Sequence, residues 1–69
     1  MTEEHTLNSS FLDSCSYDKE AKELAVSFRN SKIYRYLNVP VEVYEDFKNA
    51  PSAGEFYSSK IKGKYELIE

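Results

Sequence analysis

Two tyrosines on either side of an arginine, Tyr34-Arg35-Tyr36, form the most informative group of side chains in this sequence. Aromatic rings on the face of a β-sheet stack on unpaired bases, and an arginine between them reaches phosphate oxygens. This pattern favours binding of single-stranded nucleic acid. The other interpretation places both tyrosines in a small aromatic core, where their hydroxyls find hydrogen-bond partners.

The length of the loop before these tyrosines decides between the two interpretations. A three-residue loop over residues 29–31 places Val26 opposite Tyr34. The same register places Leu24 opposite Tyr36, so both rings face the core. A loop of two or four residues turns both rings to the other face, and the sequence leaves both registers open.

Six basic residues form the cationic groups that a polyanion would contact. They are Arg29, Lys32 and Arg35 on or near the predicted hairpin, and Lys60, Lys62 and Lys64 near the C-terminal end. The three lysines are two residues apart, which places them on one face only if this segment is extended. If the two groups converge, they form a cationic surface. The alternative is a charge run that only keeps the surface solvated.

Residues suited to catalysis or metal binding are few. His5 is the only histidine and Cys15 the only cysteine, so a Cys-His nucleophile would depend on a histidine in the N-terminal segment. These two residues do not make a four-ligand zinc site. Glu42, Glu45 and Asp46 lie close together in sequence, but acidic residues near a helix start are a common stabilising pattern. We therefore predict no enzyme, no metal site and no cofactor.

The length and composition restrict the class of protein. A chain of 69 residues forms one hydrophobic core, and six tyrosines and four phenylalanines suit a small one. The formal net charge of −3 gives no overall positive field, so a nucleic acid would need a local patch. Apolar stretches are far shorter than the roughly 20 residues that cross a bilayer. The single cysteine and the lack of a signal-peptide pattern predict a cytoplasmic protein.

The hydrophobic pattern predicts an α+β fold, with a three-stranded antiparallel β-meander followed by two short helices packed on one face. The clearest strand is the alternation of Leu24, Val26 and Phe28. Asn30 is expected to adopt a positive φ in the turn that follows. The three strands are predicted over residues 12–16, 23–28 and 32–37.

Helix signals follow the third strand. Pro40 cannot donate to a sheet and suits a helix start, and Ser52 and Glu55 have the spacing of a capping box. Phe47 and Phe56 are expected to lie on the inward faces of the two helices and to cover the sheet. The helices are predicted over residues 41–48 and 53–60.

The ends of the chain are less patterned. The first ten residues have no apolar period, so we expect a flexible segment over residues 1–9 and a single domain over residues 10–69. Tyr65 and Leu67 have the alternation of a short additional strand.

Five segments, taken in order, resemble the KTSC domain. They are Leu24-x-Val26-x-Phe28, Ile33-Tyr34-Arg35-Tyr36, Val39-Pro40-x-x-Val43-Tyr44-x-x-Phe47, Ala50-x-Ser52-x-Gly54 and Ile61-x-x-x-Tyr65. The family is named for its occurrence at the C-terminus of some lysyl-tRNA synthetases, and it also occurs as stand-alone bacterial proteins. The resemblance implies a domain whose role is uncharacterised and for which RNA binding is suggested. One departure is Asn30-Ser31, where the family often has a glycine.

These features predict a non-enzymatic binding module whose partner is RNA or a translation-related protein. The alternative is a protein-interaction module that uses a sheet edge or the aromatic helix face. Net acidity favours the alternative, and the family resemblance favours RNA. The residues predicted to contact nucleic acid are Arg29, Lys32, Tyr34, Arg35, Tyr36, Lys60, Lys62 and Lys64.

Overall fold

The computed structural model describes residues 2–68 and contains one antiparallel sheet covered on one face by helices. Five strands occur in the order of the chain: β1 (Thr2–Thr6), β2 (Leu12–Asp18), β3 (Glu23–Phe28), β4 (Ile33–Leu37) and β5 (Glu66–Leu67). The helices are α1 (Val41–Asn49) and α2 (Ala53–Phe56), and a π-helical turn (Tyr57–Ile61) continues α2. The α+β class and the central antiparallel meander are confirmed, but the sheet has five strands rather than three. Within residues 2–68, no helix has the length and apolar character needed to cross a membrane.

Strand β1 lies where the sequence predicts a flexible segment over residues 1–9. It pairs antiparallel with β2, with His5 opposite Cys15 and Glu3 opposite Tyr17. Polar side chains give this strand no apolar period, so its order comes from backbone pairing with β2 rather than from a buried face of its own. Leu7, just after the strand, is buried. The segment predicted to be flexible thus contains an edge strand, and residues 1 and 69 of the predicted division lie outside the described residues.

Strand β2 contains a bulge that the sequence alternation does not reveal. The pairing register shifts between Leu12 and Ser14. A bulge inserts one residue into a strand and reverses its inward and outward pattern. Leu12, Cys15 and Tyr17 are consequently all buried. Phe11, immediately before the strand, stays 43% exposed.

The β3–β4 hairpin has the three-residue loop that turns its tyrosines toward the helices. Val26 pairs with Tyr34, and Leu24 pairs with Tyr36. The Phe28 N–H donates to the Lys32 carbonyl oxygen over 2.8 Å, which closes the loop. Of the two registers that the sequence allows, the structure adopts the core-facing one.

The loop itself differs from the expected turn. Ser31, not Asn30, adopts the positive φ, at 74°. The Asn30 side-chain oxygen instead accepts a hydrogen bond from the Lys32 N–H at 3.2 Å. Asparagine side chains make this local contact readily, and the left-handed conformation falls on the serine.

The helices begin as their sequence signals predict. Pro40 immediately precedes α1, and the Ser52 hydroxyl accepts a hydrogen bond from the Glu55 N–H at 3.3 Å. Phe47 is fully buried, whereas Phe56 is only partly buried and stacks on Phe47 at a centroid distance of 5.6 Å. The helix predicted over residues 53–60 changes to π-helical geometry at Tyr57–Ile61.

The core between the sheet and the helices is rich in tyrosine. Tyr17 stacks on Tyr44 at 4.9 Å, and its hydroxyl donates to the Val39 carbonyl oxygen at 2.5 Å. Tyr36 and Tyr57 share a buried hydroxyl–hydroxyl bond of 2.6 Å. The hydroxyls of Tyr17, Tyr36 and Tyr57 thus each have a polar partner, which removes most of the cost of burying them.

Candidate functional site

Some of the residues predicted to contact nucleic acid lie close together, in a groove between the β3–β4 hairpin and the π-helical turn. The groove has a volume of about 350 Å³. We call it the hairpin groove, and it is lined by Phe11, Phe28, Asn30, Lys32, Tyr34, Tyr57, Ser58 and Lys62. Among these described residues none is acidic, so the groove is a locally positive surface on a chain of formal charge −3. The local charge of the groove is thus opposite in sign to that of the whole chain.

Phe28 is the centre of the aromatic part of this groove. Its ring lies 5.1 Å from that of Tyr34, 5.4 Å from that of Tyr57 and 6.4 Å from that of Phe11, measured between centroids. Contacts of this kind fix the ring orientations. Phe28 and Tyr34 are partly buried, and Phe11 is largely exposed. The groove therefore offers ring surface that remains partly accessible.

The two lysines of the groove come from different elements. Lys32 directly follows the hairpin loop, and Lys62 follows the π-helical turn. The Lys62 N–H donates to the Tyr57 carbonyl oxygen at 2.8 Å, which is the five-residue closure of a π-helix. Buried Tyr57 anchors this turn on the core. Both lysines are exposed, so each ammonium is available to an anionic ligand.

Tyr36 does not belong to the accessible surface. It is 2% exposed, and its hydroxyl bonds to that of Tyr57. Burial, followed by this hydrogen bond, raises the pKa of Tyr57 well above its usual range. Tyr36, one of the residues predicted to contact nucleic acid, is therefore buried, and only Tyr34 of the pair lines the groove.

The two arginines also lie outside the groove. Arg29 donates from Nε to the Ser9 carbonyl oxygen at 2.8 Å, and so ties the hairpin to the segment before β2. Arg35 lies between two core-facing tyrosines on β4, and strand alternation therefore places it on the opposite, uncovered face of the sheet. A single surface formed by Tyr34, Arg35 and Tyr36 is accordingly ruled out.

The three C-terminal lysines do not share one face. They would do so on an extended segment, but Lys60 lies within the π-helical turn. It lines a different groove, of about 260 Å³, together with Pro51 and Phe56. Lys64 lies in the turn after Lys62 and does not line the hairpin groove. Of the eight predicted contact residues, the groove brings together Lys32, Tyr34 and Lys62.

Sequence reasoning missed five residues of the groove. Phe28 and Tyr57 pack on or in the core, and both also line the groove. Phe11 lies just before the first predicted strand, and the bulge beside it is not visible in the sequence. Asn30 is close to Lys32 in sequence, and Ser58 lies in the π-helical turn. Neither residue has any other sequence feature that indicates a place in the groove.

The remaining reactive groups lie away from the groove. Cys15 is buried, and desolvation raises the pKa of its thiol to about 12. His5 lies opposite Cys15 in the register of β1 and β2 and is exposed. Within residues 2–68, no three histidine, cysteine, aspartate or glutamate side chains gather as a metal site.

Comparison with known sequences finds one family and two kinds of relatives. The pattern of the KTSC domain matches residues 8–65. The lysine–tRNA ligase of Nostoc punctiforme is 38% identical over 52 residues, which cover 75% of this chain but 9% of the ligase. A second lysine–tRNA ligase, from Trichormus variabilis, is 35% identical over 83% of this chain and 10% of the ligase. The chain thus spans about a tenth of the length of these ligases.

Relatives of the same size as this chain also exist. An uncharacterised protein of Stutzerimonas stutzeri is 37% identical over 59 residues, covering 86% of this chain and 83% of that protein. The crystal structure of a KTSC domain protein from Yersinia pestis superimposes with a TM-score of 0.93 at 32% identity, over 100% of this chain and 97% of the other. The chain belongs to the KTSC domain family.

Proposed function

We propose that this KTSC domain is a non-enzymatic module that binds single-stranded RNA in the hairpin groove. The observation that carries the proposal is the convergence of Lys32 and Lys62, from separate elements, on the partly exposed rings of Phe28 and Tyr34. Lysines neutralise phosphates, and aromatic rings stack on bases that are not paired. A groove of about 350 Å³ is of the size that a small ligand such as one nucleotide occupies.

The family context supports an RNA ligand. Segments similar to this chain form part of proteins named lysine–tRNA ligase. A small RNA-binding module linked to an enzyme of that name would hold RNA close to the enzyme, because linkage raises the effective concentration of the RNA. A stand-alone copy would retain the same groove without the linked enzyme.

The chemistry of the described residues supports binding rather than catalysis. A nucleophilic cysteine works as the thiolate, and the raised pKa of Cys15 keeps it protonated near neutral pH. The groove itself contains lysines, an amide and hydroxyls but no histidine or carboxylate among its described lining residues. Those groups suit recognition of an anion and a base.

The direct test is binding of a fluorescently labelled single-stranded RNA, followed by anisotropy over a series of salt concentrations. Two lysine–phosphate contacts predict a slope of log K against log salt of about −1.4, since each contact on a single strand contributes roughly −0.7. Lys62→Ala should weaken binding and reduce the slope by about half. Equal affinities of the parent and Lys62→Ala would contradict the proposal.

Arg35→Ala is the matched control for that variant. It removes the same single charge, but from the opposite face of the sheet. Binding should stay within about twofold of the parent, because the remaining effect is a long-range one that salt screens. If Arg35→Ala weakens RNA binding as much as Lys62→Ala, the affinity depends on the net charge of the protein and not on the groove.

A second function, protein binding by strand addition, is favoured by one observation. Strand β1 is an edge of the sheet and pairs only with β2, so one side of its five residues carries unpaired backbone groups. A partner strand added there would bind through backbone hydrogen bonds and apolar contacts, with little dependence on salt. Absence of RNA binding at low salt, together with salt-independent capture of a protein partner, would favour this function over RNA.

A further inference from the structure

A second groove, of about 420 Å³, lies beside the hairpin groove and has no role in the function proposed above. We call it the serine groove, since five of its lining residues are serines: it is lined by Asn8, Ser9, Ser10, Phe11, Ser52, Gly54, Glu55, Ser58 and Ser59. Among these described residues none is basic, and one is a glutamate. Its polar character therefore differs from that of the hairpin groove.

The two grooves adjoin each other. Phe11 and Ser58 line both of them, so a ligand that fills one groove reaches the other across these two side chains. The ring of Phe11 lies directly over Gly54, where an added Cβ would come within 2.7 Å of Phe11 Cε1. The absence of a side chain at Gly54 thus lets Phe11 sit between the grooves. The geometry suits a chain-like ligand with successive units in the two grooves.

The polar groups that line the serine groove match hydroxyl groups better than phosphate. A carboxylate at Glu55 repels a phosphate, and no described lysine or arginine lines the groove to offset it. The hydroxyl oxygens of Ser9 and Ser52 accept backbone N–H groups, which leaves their O–H groups free to donate to a ligand. Donors and acceptors thus line one cavity. A ribose 2′-hydroxyl, which both donates and accepts, matches this set.

We infer that the serine groove holds the ribose of the nucleotide next to the one in the hairpin groove, and that it makes the domain select RNA over DNA. The inference rests on the RNA-binding function proposed above. Lys32 and Lys62 then contact the phosphates, while Glu55 and the serine hydroxyls contact the neighbouring sugar. Deoxyribose lacks the 2′-hydroxyl, so a DNA strand would leave these polar groups without their partner.

The test compares tetrauridine with tetradeoxyuridine, which have the same bases and the same number of phosphates. The parent should bind the ribo form roughly three- to tenfold more tightly, the ratio that about one net hydrogen bond supplies. The variant Glu55→Gln/Ser59→Ala should bring this ratio close to one. Both side chains are exposed. The hydrogen bond to the Ser52 hydroxyl comes from the backbone N–H of Glu55, not from either side chain, so the variant should keep the fold.

Lys32→Ala is the control that separates the two grooves. It should weaken the ribo and deoxy ligands by the same factor, since a phosphate contact does not sense the sugar. Equal binding of both ligands by the parent would overturn the inference while leaving RNA binding in the hairpin groove intact. A sugar preference that Glu55→Gln/Ser59→Ala does not change would also overturn it. If neither tetranucleotide binds at low salt, the proposed function fails and the inference falls with it.

Discussion

The buried hydroxyl pair of Tyr36 and Tyr57 gives the sharpest test of the packing beneath the hairpin groove. The two oxygens lie 2.6 Å apart, and the residues are 2% and 4% exposed. Each hydroxyl therefore depends on the other for a hydrogen-bond partner. Tyr36→Phe removes one oxygen and leaves the Tyr57 hydroxyl buried without a partner.

The expected magnitude follows from that orphaned hydroxyl. A buried polar group left unpaired costs about 1–3 kcal/mol of the free energy of unfolding. Tyr36→Phe and Tyr57→Phe should each lower stability by about this amount. Removing both hydroxyls leaves no orphan, so Tyr36→Phe/Tyr57→Phe should be less destabilised than either single variant.

Thermal and urea unfolding of the parent and the three variants measure this cycle. For a domain of this size, about 1 kcal/mol corresponds to roughly 4–8 °C in Tm, so the single variants should be clearly separated from the parent. The result that would refute the reasoning is additivity. If the double variant loses the sum of the two single losses, the hydroxyls do not depend on each other.

Three further predictions concern the core. Phe47→Ala should cost about 3–5 kcal/mol and leave the domain largely unfolded near 37 °C, whereas Phe56→Ala, at a half-buried position, should cost clearly less in urea unfolding. Cys15 should be inert to a thiol reagent in the native protein and react fully in denaturant, because it is buried and its pKa is about 12; rapid native labelling would contradict its placement. Burial raises the pKa of Tyr44 from 10.0 to about 12 and that of Tyr57 further. The tyrosines therefore lose their protons at lower pH in the unfolded chain than in the folded one. Their contribution to the free energy of unfolding is fully present below pH 10 and should fall as the pH rises from about 10 to 12. Urea midpoints that stay constant over this range would contradict the buried placement.

The parts of the fold that the sequence predicts are those in which side-chain periodicity and local signals agree. Leu24, Val26 and Phe28 alternate on β3, and the structure has a strand over Glu23–Phe28. Pro40 and Ser52 mark helix starts through backbone chemistry that does not depend on tertiary contacts. For these elements, local sequence and tertiary packing favour the same structure.

The elements that sequence did not predict depend on pairing with distant residues. Strand β1 has polar side chains on both faces and is ordered by its hydrogen bonds to β2. The bulge at Leu12 is set by its fit to β3. The hairpin groove has the same origin, since Lys62 approaches Lys32 only because the π-helical turn packs against the hairpin. The sequence identified these lysines as candidate contact residues, but residue spacing could not show that they line the groove and that Lys60 and Lys64 do not.

The most direct test of the proposed site is an NMR titration with a short single-stranded RNA, read from the backbone amide signals of the domain. Binding in the hairpin groove should shift the amides of Phe11 and of residues 28–34 and 57–62, and leave those of β1 and of Arg35 nearly unchanged. A neighbouring nucleotide in the serine groove should add shifts at residues 8–10 and 52–55. Saturable shifts confined to the residues of these two grooves are the predicted result. Shifts centred on β1 or on the uncovered sheet face around Arg35, or no shifts at low salt, would contradict the account.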